Sequence, residues 1–146
     1  MATLIYSAFN FFSSEIFPIF VELGERPDIS HLMVIKGNLP LLIFALILVW
    51  ITAAFFEEFI FRAYLINSLE ILLGKSTGAT WLAVLISSVI FGLIHSYQGI
   101  TGILLTGSMG LIFSIAFILN GRRIWPLILI HGLIDTIGLI NIYNLG

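Results

Sequence analysis

The chain has 146 residues, of which 60% are hydrophobic and only 10% are charged, and its mean hydropathy is +1.14. A soluble domain of this size has no room to bury so much apolar surface, so the chain is predicted to be an integral membrane protein. Its net charge of −2 provides no basic surface for nucleic acid, and its lack of cysteine excludes disulfides and thiolate metal sites.

The first predicted element is a helix over residues 3–22, which are apolar and aromatic apart from two serines and Glu15 near the middle. This helix either spans the membrane or lies in its interface as an amphipathic helix, and the sequence leaves both open. Because Glu15 is the first charge and no basic segment precedes it, we expect no cleavable signal peptide. Residues 23–38 are predicted to form a polar loop, and its histidine, His31, is interpreted as solvated.

The second helix is predicted over residues 40–73, because this stretch is uncharged in its first half and is followed by Gly74. At ~1.5 Å per residue it would measure roughly 50 Å, against a hydrocarbon core of about 30 Å. The helix must therefore protrude, tilt or break, and we expect it to protrude at the Lys75 end. This placement brings Glu57 and Glu58 towards that membrane boundary.

Three charges lie together in the middle of this helix, at Glu57, Glu58 and Arg62. Near the centre of a spanning helix each costs roughly 2.5–3.5 kcal/mol, which makes a functional role the default hypothesis. Glu58 and Arg62 are four residues apart, lie on one face of an α-helix and are predicted to pair. Glu57 lies about 100° away and is left available for chemistry. The structural alternative is a helix end that leaves the bilayer with solvated charges.

Three further spanning helices are predicted from apolar runs bounded by polar turns: residues 79–96, 101–119 and 124–143. The first carries His95, at the end of a row of residues four apart with small side chains that favour close helix packing. The last carries His131 and Asp135, also four apart and on one face. The middle helix has a stripe interpreted as a packing face without chemical role: Gly102, Thr106, Gly110 and Ser114.

The predicted fold class is therefore all-α: a polytopic transmembrane bundle of four core spanning helices plus the N-terminal apolar helix. We expect one membrane-embedded domain over residues 1–146, with its catalytic core at about 40–143. No internal repeat or low-complexity segment divides the chain.

The charges of the turns predict the orientation of the bundle. One side of the membrane carries Lys75, Arg122 and Arg123. The other side carries Arg26 and Lys36. The excess of basic residues favours the first side as the cytoplasmic one, and we expect a shared polar pocket to open there. We expect a multi-pass protein of a bacterial or archaeal cell membrane rather than of the endoplasmic reticulum.

Every ionisable group deep in the core spans belongs to one of three short clusters on three helices. Convergence of carboxylate and imidazole is what general-base hydrolysis or metal binding requires. In chain order the clusters are Glu57-Glu58-x-x-x-Arg62, Phe91-x-x-x-His95 and His131-x-x-x-Asp135. Over about residues 45–140 they resemble the three motifs of the CAAX-protease and bacteriocin-processing (CPBP) family of intramembrane proteases.

The resemblance implies endoproteolysis within the membrane. In the eukaryotic branch this removes a prenylated C-terminal tripeptide, and in bacteria it serves peptide maturation or bacteriocin self-immunity. The resemblance also implies that Glu57 activates the water and that His95 assists it. It further implies that Arg62 holds Glu58. The implied partners are a peptide or protein substrate, prenylated or not, and the lipid bilayer.

By the same resemblance, His131 and residue 135 would stabilise the oxyanion. Here the chain departs from the eukaryotic branch, which has Asn where this sequence has Asp135. An amide donates a hydrogen bond to an oxyanion, whereas an ionised carboxylate cannot. A charged Asp135 is therefore interpreted as orienting His131 and fixing its tautomer, while an Asp135 protonated by burial would still donate.

Two alternatives remain open. In the first, His95 and His131 with Glu57 or Asp135 bind a catalytic zinc ion, since two histidines and a carboxylate are a known ligand set, although the sequence has no HExxH motif. In the second, the chain is no enzyme but a membrane immunity or scaffold protein, or a component of a proton-coupled transporter, because buried Glu and His residues also relay protons.

Overall fold

The computed structural model describes residues 27–145, together with Ser14 and Pro18. The helix predicted at residues 3–22 lies outside the described residues apart from those two, and so does Arg26.

Within residues 27–145 the chain forms four long helices: α1 (Leu39–Leu72), α2 (Thr77–Ile94), α3 (Gly99–Leu119) and α4 (Trp125–Tyr143). Two short 3₁₀ turns accompany them: Ser30–Ile35 before α1 and Ser96–Gln98 before α3. This part of the chain contains no β-strand, and each of the four helices is long and apolar enough to cross a membrane. The predicted all-α polytopic bundle is confirmed, and every predicted end of these helices lies within two residues of the observed one.

Side-chain caps determine where α1 and α2 begin. The Leu41 amide donates to Asn38 Oδ1 at 3.2 Å, and the Ala79 amide donates to Ser76 Oγ at 3.1 Å. Such caps satisfy amides that have no partner within the helix. Pro40 follows the first cap, at a position where its missing N–H is not needed.

The middle of α1 is wider than an α-helix. Over Trp50–Ile66 the backbone is π-helical, between α-helical segments at Leu39–Val49 and Asn67–Leu72. Its i→i+5 hydrogen bonds widen the turn, so residues four apart lie almost in line along the helix. Of the five buried residues of this segment, all but Phe61 follow that spacing: Ala54, Glu58, Arg62 and Ile66. Glu57, Glu58 and Arg62 thus lie in a π-helical segment, which the spacing of residues in the sequence did not predict.

The end of the bundle that carries Lys75, here called the closed end, is filled by an apolar core. Its buried members come from all four helices: Ile66, Val84, Phe113, Phe117 and Leu127. At this end Arg122 Nη1 lies 2.7 Å from Glu70 Oε2, and the Thr80 hydroxyl donates to Glu70 Oε1 at 2.6 Å. These contacts join the α3–α4 turn to α1 and α2.

The opposite end, here called the open end, is packed less completely. Helices α2 and α3 pack closely, whereas α4 packs mainly on α1 and makes few contacts with α3. A small apolar cluster joins the Ser30–Ile35 turn to α1 and α4: Ile35, Leu42, Leu139 and Ile142. Between this cluster and the core of the closed end lies a cavity.

The close packing of α2 and α3 depends on glycine. A Cβ atom on Gly92 would lie 2.6 Å from the Ile103 carbonyl oxygen and 3.0 Å from the Cα of Gly107. In the predicted small-residue stripe of α3, Gly110 contacts the Phe91 ring in this interface, whereas Thr106 lines the cavity. The predicted packing face is therefore correct only in part.

Candidate active site

The structure brings the three clusters of ionisable residues to one cavity of about 690 Å³ between the helices. All six predicted site residues line it: Glu57, Glu58 and Arg62 from α1, His95 from the end of α2, and His131 and Asp135 from α4. The remaining walls are largely apolar, with Val49, Ala53, Leu105, Met109 and Leu139 among them. A small polar region thus lies inside an otherwise apolar cavity.

Glu58 and Arg62 form an ion pair on the inner side of the cavity. Both side chains are buried, with 0% and 1% exposed, and Arg62 Nη1 lies 3.0 Å from Glu58 Oε1. Arg62 Nη2 also donates to the Gly110 carbonyl at 3.4 Å. The guanidinium lies 4.6 Å from the centre of the Phe91 ring and 5.5 Å from that of Phe113. The i,i+4 pair predicted from the sequence is present, and aromatic rings enclose its cation.

Glu58 also holds His131. The Nδ1 atom of His131 lies 2.9 Å from Glu58 Oε1, the same oxygen that contacts Arg62. A carboxylate paired with a guanidinium is an acceptor, so Nδ1–H of His131 donates to it. This leaves Nε2 of His131 directed towards the other acidic residues. A carboxylate that accepts a hydrogen bond from one ring nitrogen fixes the orientation and the tautomer of the imidazole.

Asp135 also lies next to His131, as its spacing in the sequence predicted. Its Oδ2 lies 3.5 Å from Nε2 of His131, on the opposite side of the ring from Glu58. Glu58 thus lies at Nδ1 of His131 and Asp135 lies near Nε2, while the role of Asp135 in orienting the ring stays a prediction. The spacing of four within α4 correctly predicted that His131 and Asp135 lie together. The contact of His131 with Glu58 depends instead on how α4 is rotated against α1.

Glu57 points into the cavity and is not the partner of Arg62. Its side chain is 25% exposed, and Oε2 lies 4.0 Å from Nε2 of His131. Asp135 is similarly accessible, at 26%. Among the described residues, the carboxylate that Arg62 contacts is that of Glu58. The two adjacent glutamates are thus in different environments, one buried and paired, the other open to the cavity.

His95 ends α2 and reaches the cavity from the open end. Its Nδ1–H donates to the Phe91 carbonyl at 2.8 Å, since a carbonyl only accepts. Its ring lies between those of Phe91 and Tyr97, with centroid distances of 4.9 and 5.9 Å. His95 and Glu57 line the same cavity. In both His95 and His131 an acceptor therefore occupies the Nδ1 side, and Nε2 remains for a ligand.

The cavity extends towards the open end, where Ile29, His31, Tyr97 and Gln98 line it. The expectation that it opens on the side of Lys75 is therefore wrong. Helix α2 begins next to Lys75. It therefore ends at the other end of the bundle, and His95 follows its last residue there. The count of basic residues concerns the orientation in the membrane, not the end at which a site opens.

Residues 27–37 close part of the mouth of this cavity. The Asp28 amide donates to the Gln98 carbonyl at 3.2 Å, and the Gly37 amide donates to the Tyr143 carbonyl at 3.1 Å. Between these two anchors His31 contacts the ring of Tyr97, with centroids 5.9 Å apart. His31 is exposed, as interpreted from the sequence, but it lies at the mouth of the cavity, which the sequence analysis did not predict.

The six residues do not fit a zinc site. Within the described part of the chain, no three His, Asp or Glu side chains have an arrangement that would hold a metal ion. In both histidines Nδ1 already has an acceptor, so Nε2 is the ring nitrogen that remains free to bind.

Comparison with protein families gives one finding. A family model described as type II CAAX prenyl endopeptidase Rce1-like matches residues 39–137, from the first residue of α1 into α4. The matched range contains all six of the predicted site residues. Comparisons with curated proteins and with solved structures each gave no match.

Proposed function

Because the chain belongs to the Rce1-like family of type II CAAX prenyl endopeptidases, we propose that it cleaves peptide bonds within the membrane with Glu57 as the general base. The family assigns CAAX-type intramembrane endoproteolysis, and the helices make the chain a multi-pass membrane protein. The roles of individual residues are the proposal. The observation that carries it is an accessible carboxylate, Glu57, next to an imidazole nitrogen that faces the same cavity.

Glu57 takes a proton from a water molecule in the cavity. The water oxygen then forms a bond to the carbonyl carbon of the scissile peptide, and the carbonyl oxygen becomes an oxyanion. The oxyanion re-forms the carbonyl as the C–N bond breaks, and Glu57 returns the proton to the leaving nitrogen, which releases an amine and a carboxylic acid. Glu58 does not suit this role, because its side chain is fully buried and contacts Arg62 and His131. General-base catalysis of this kind contributes about 10²–10⁴-fold.

The two imidazoles stabilise the oxyanion through Nε2. Because Nδ1 of each ring already carries a proton, donation from Nε2 requires the imidazolium form. His131 is well placed for this form, since carboxylates of Glu58, Glu57 and Asp135 surround it at 2.9, 4.0 and 3.5 Å. Asp135 acts on His131 and not on the oxyanion, because an ionised carboxylate has no proton to donate.

The substrate is proposed to be a peptide or protein segment that carries apolar groups. The apolar walls of the cavity support this, and so does its position between helices that are long and apolar enough to cross a membrane. Prenylated and unprenylated peptides of the same sequence distinguish the two substrate classes that the family resemblance leaves open. No metal ion takes part in the proposed reaction.

The test is cleavage of these peptides by the purified protein in lipid vesicles, with Glu57→Gln as the variant. We expect a loss of about 10²–10⁴-fold in kcat, because an amide cannot accept the proton. The matched control is Glu70→Gln on the same helix, which lies outside the cavity and keeps an oxygen for Thr80. Wild-type cleavage by Glu57→Gln would reject the proposal.

A further inference from the structure

A second polar link joins α1 to α4 outside the cavity. The indole Nε1–H of Trp50 donates to the Thr136 hydroxyl at 3.1 Å, and that hydroxyl donates to the Gly132 carbonyl at 2.6 Å. The six-membered ring of Trp50 lies against Gly132, where a Cβ atom would be 2.7 Å from its nearest carbon. Gly132 thus makes room for the ring, and Thr136 binds its polar edge.

This link lies close in sequence to the site on both helices. Gly132 and Thr136 directly follow His131 and Asp135 in α4. Trp50 starts the π-helical segment and precedes Glu58 by eight residues, on the spacing of four that most of the buried residues of this segment follow. Trp50 itself does not line the cavity. The two helices are therefore joined at two levels, by Glu58–His131 inside the site and by Trp50–Thr136 outside it.

The rotation of α4 depends on α1, because α4 makes few contacts with α3. Successive residues of an α-helix point about 100° apart, so a modest rotation of α4 would move His131 away from Glu58 and Asp135 away from the cavity. The contact of Trp50 with Gly132 and Thr136 opposes such a rotation, since it engages one face of α4 through both shape and a hydrogen bond.

We propose that Trp50 is a positioning residue, whose contact with Gly132 and Thr136 sets the rotation of α4 that brings His131 to Glu58. This inference rests on the proposed function, since it assigns Trp50 a role in the same site. Trp50 touches neither the substrate nor the reacting atoms, so its effect is on kcat through His131 and not on substrate affinity.

The kinetic test compares Trp50→Phe and Thr136→Val, alone and together, in the vesicle assay. Each removes the hydrogen bond, and Trp50→Phe keeps an aromatic ring near Gly132. We expect kcat to fall about 10- to 100-fold, the effect of a small misplacement, with KM unchanged. The double variant should lose no more than the worse single variant, because both remove one interaction. Thr136→Ser keeps the hydroxyl and should restore most of kcat.

The matched control is Thr52→Val, which removes a hydroxyl bonded to the Leu48 carbonyl within α1 and exposed on its outer surface. It should leave kcat and KM unchanged. If Trp50→Phe and Thr136→Val keep wild-type kcat while the wild type cleaves the peptide, the positioning role is wrong and the proposed function stands. Additive losses in the double variant would equally contradict a shared interaction.

A second measurement does not depend on activity. The chain has no cysteine, so single cysteines can be introduced at Gly138, which lines the cavity and has open space at its Cβ, and at Ile137, which faces outwards. A water-soluble maleimide should label Gly138→Cys faster than Ile137→Cys. In the Trp50→Phe background this ratio should fall, because α4 can rotate. An unchanged ratio overturns the inference, and a protein that cleaves no peptide overturns the proposed function alone.

Discussion

Two Glu–Arg ion pairs, each with its glutamate on α1, show how differently the same groups act in two regions of the bundle. Glu58 and Arg62 lie at the cavity with 0% and 1% of their side chains exposed, and the N–O distance is 3.0 Å. Glu70 and Arg122 lie at the closed end, 18% and 37% exposed, at 2.7 Å. The shorter distance belongs to the more exposed pair. The contribution of each pair to stability is therefore expected to follow its burial and not its distance. Exposed pairs contribute about 0–1 kcal/mol, whereas breaking a buried pair costs ~3–5 kcal/mol.

The surroundings of the two pairs also differ in kind. Arg122 contacts Glu70 and Asn67, which are groups of the helix surface. Arg62 is enclosed by Phe91 and Phe113, and its partner Glu58 holds the imidazole of His131. The buried pair is thus part of the site, whereas the exposed pair holds a turn.

The largest expected effect is that of Arg62→Met, which leaves the buried carboxylate of Glu58 without its cation. We expect a loss of about 3–5 kcal/mol in the free energy of unfolding and loss of cleavage. Denaturant titration in mild detergent measures the first, and the vesicle assay the second. Adding Glu58→Gln should recover part of the stability but not the activity. A loss no larger than that of Arg122→Gln would contradict the ranking by burial.

An intermediate effect is expected from Phe91→Leu, which keeps an apolar side chain but removes the aromatic face 4.6 Å from the Arg62 guanidinium. The cation–π contribution lost is about 0.5–2 kcal/mol, at the upper end when the cation is desolvated. The same titration measures it. Phe44→Leu, on the outer surface of α1, serves as the control and should change stability less. Equal losses would show that the ring acts only through its size.

The smallest effect on stability is expected from Arg122→Gln at the closed end. The loss should be about 0–1 kcal/mol and should shrink further when the salt concentration is raised to about 1 M, where charges are screened within ~3 Å. Peptide cleavage should be unchanged, since Arg122 lies at the end of the bundle away from the cavity. Loss of cleavage in a folded Arg122→Gln protein would mean that the two regions are coupled.

No effect is expected from a chelator. The proposed reaction uses side chains of the cavity and no metal ion. Dialysis against a zinc chelator should therefore leave both the rate of cleavage and the unfolding midpoint unchanged. Elemental analysis of the purified protein should then find metal well below one ion per chain. Cleavage that is lost on dialysis and restored by zinc would contradict this and would require ligands to rearrange around His131 and His95.

The sequence predicts the helices and the pairing within each helix, because both depend on spacing along one chain. Apolar runs with polar ends define α1 to α4, and a separation of four residues joins Glu58 to Arg62 and His131 to Asp135. Contacts between helices depend on rotation, which no local pattern specifies. The contact between Nδ1 of His131 and Glu58 is of this kind, and the sequence does not predict it.

Other features of the site have weak sequence signals or none. The π-helical hydrogen bonding of Trp50–Ile66 has no residue signature, so the sequence predicts an ordinary α-helix there. The opening of the cavity follows from the chain direction of α2, which a count of basic residues does not address. One sequence signal points to the contact of Trp50 with α4, and it is Gly132, directly after His131. A glycine inside a helix often indicates the close approach of a neighbouring group.

The π-helical segment has a consequence for which changes the chain can accept. Substituting a lipid-facing residue such as Phe55 alters one side chain, whereas deleting it would shorten the path from Trp50 to Glu58 and return that stretch towards α-helical winding. Trp50 would then no longer face Gly132 while Glu58 faces His131. In this part of α1, the number of residues constrains the chain more tightly than the identity of those that face the lipid.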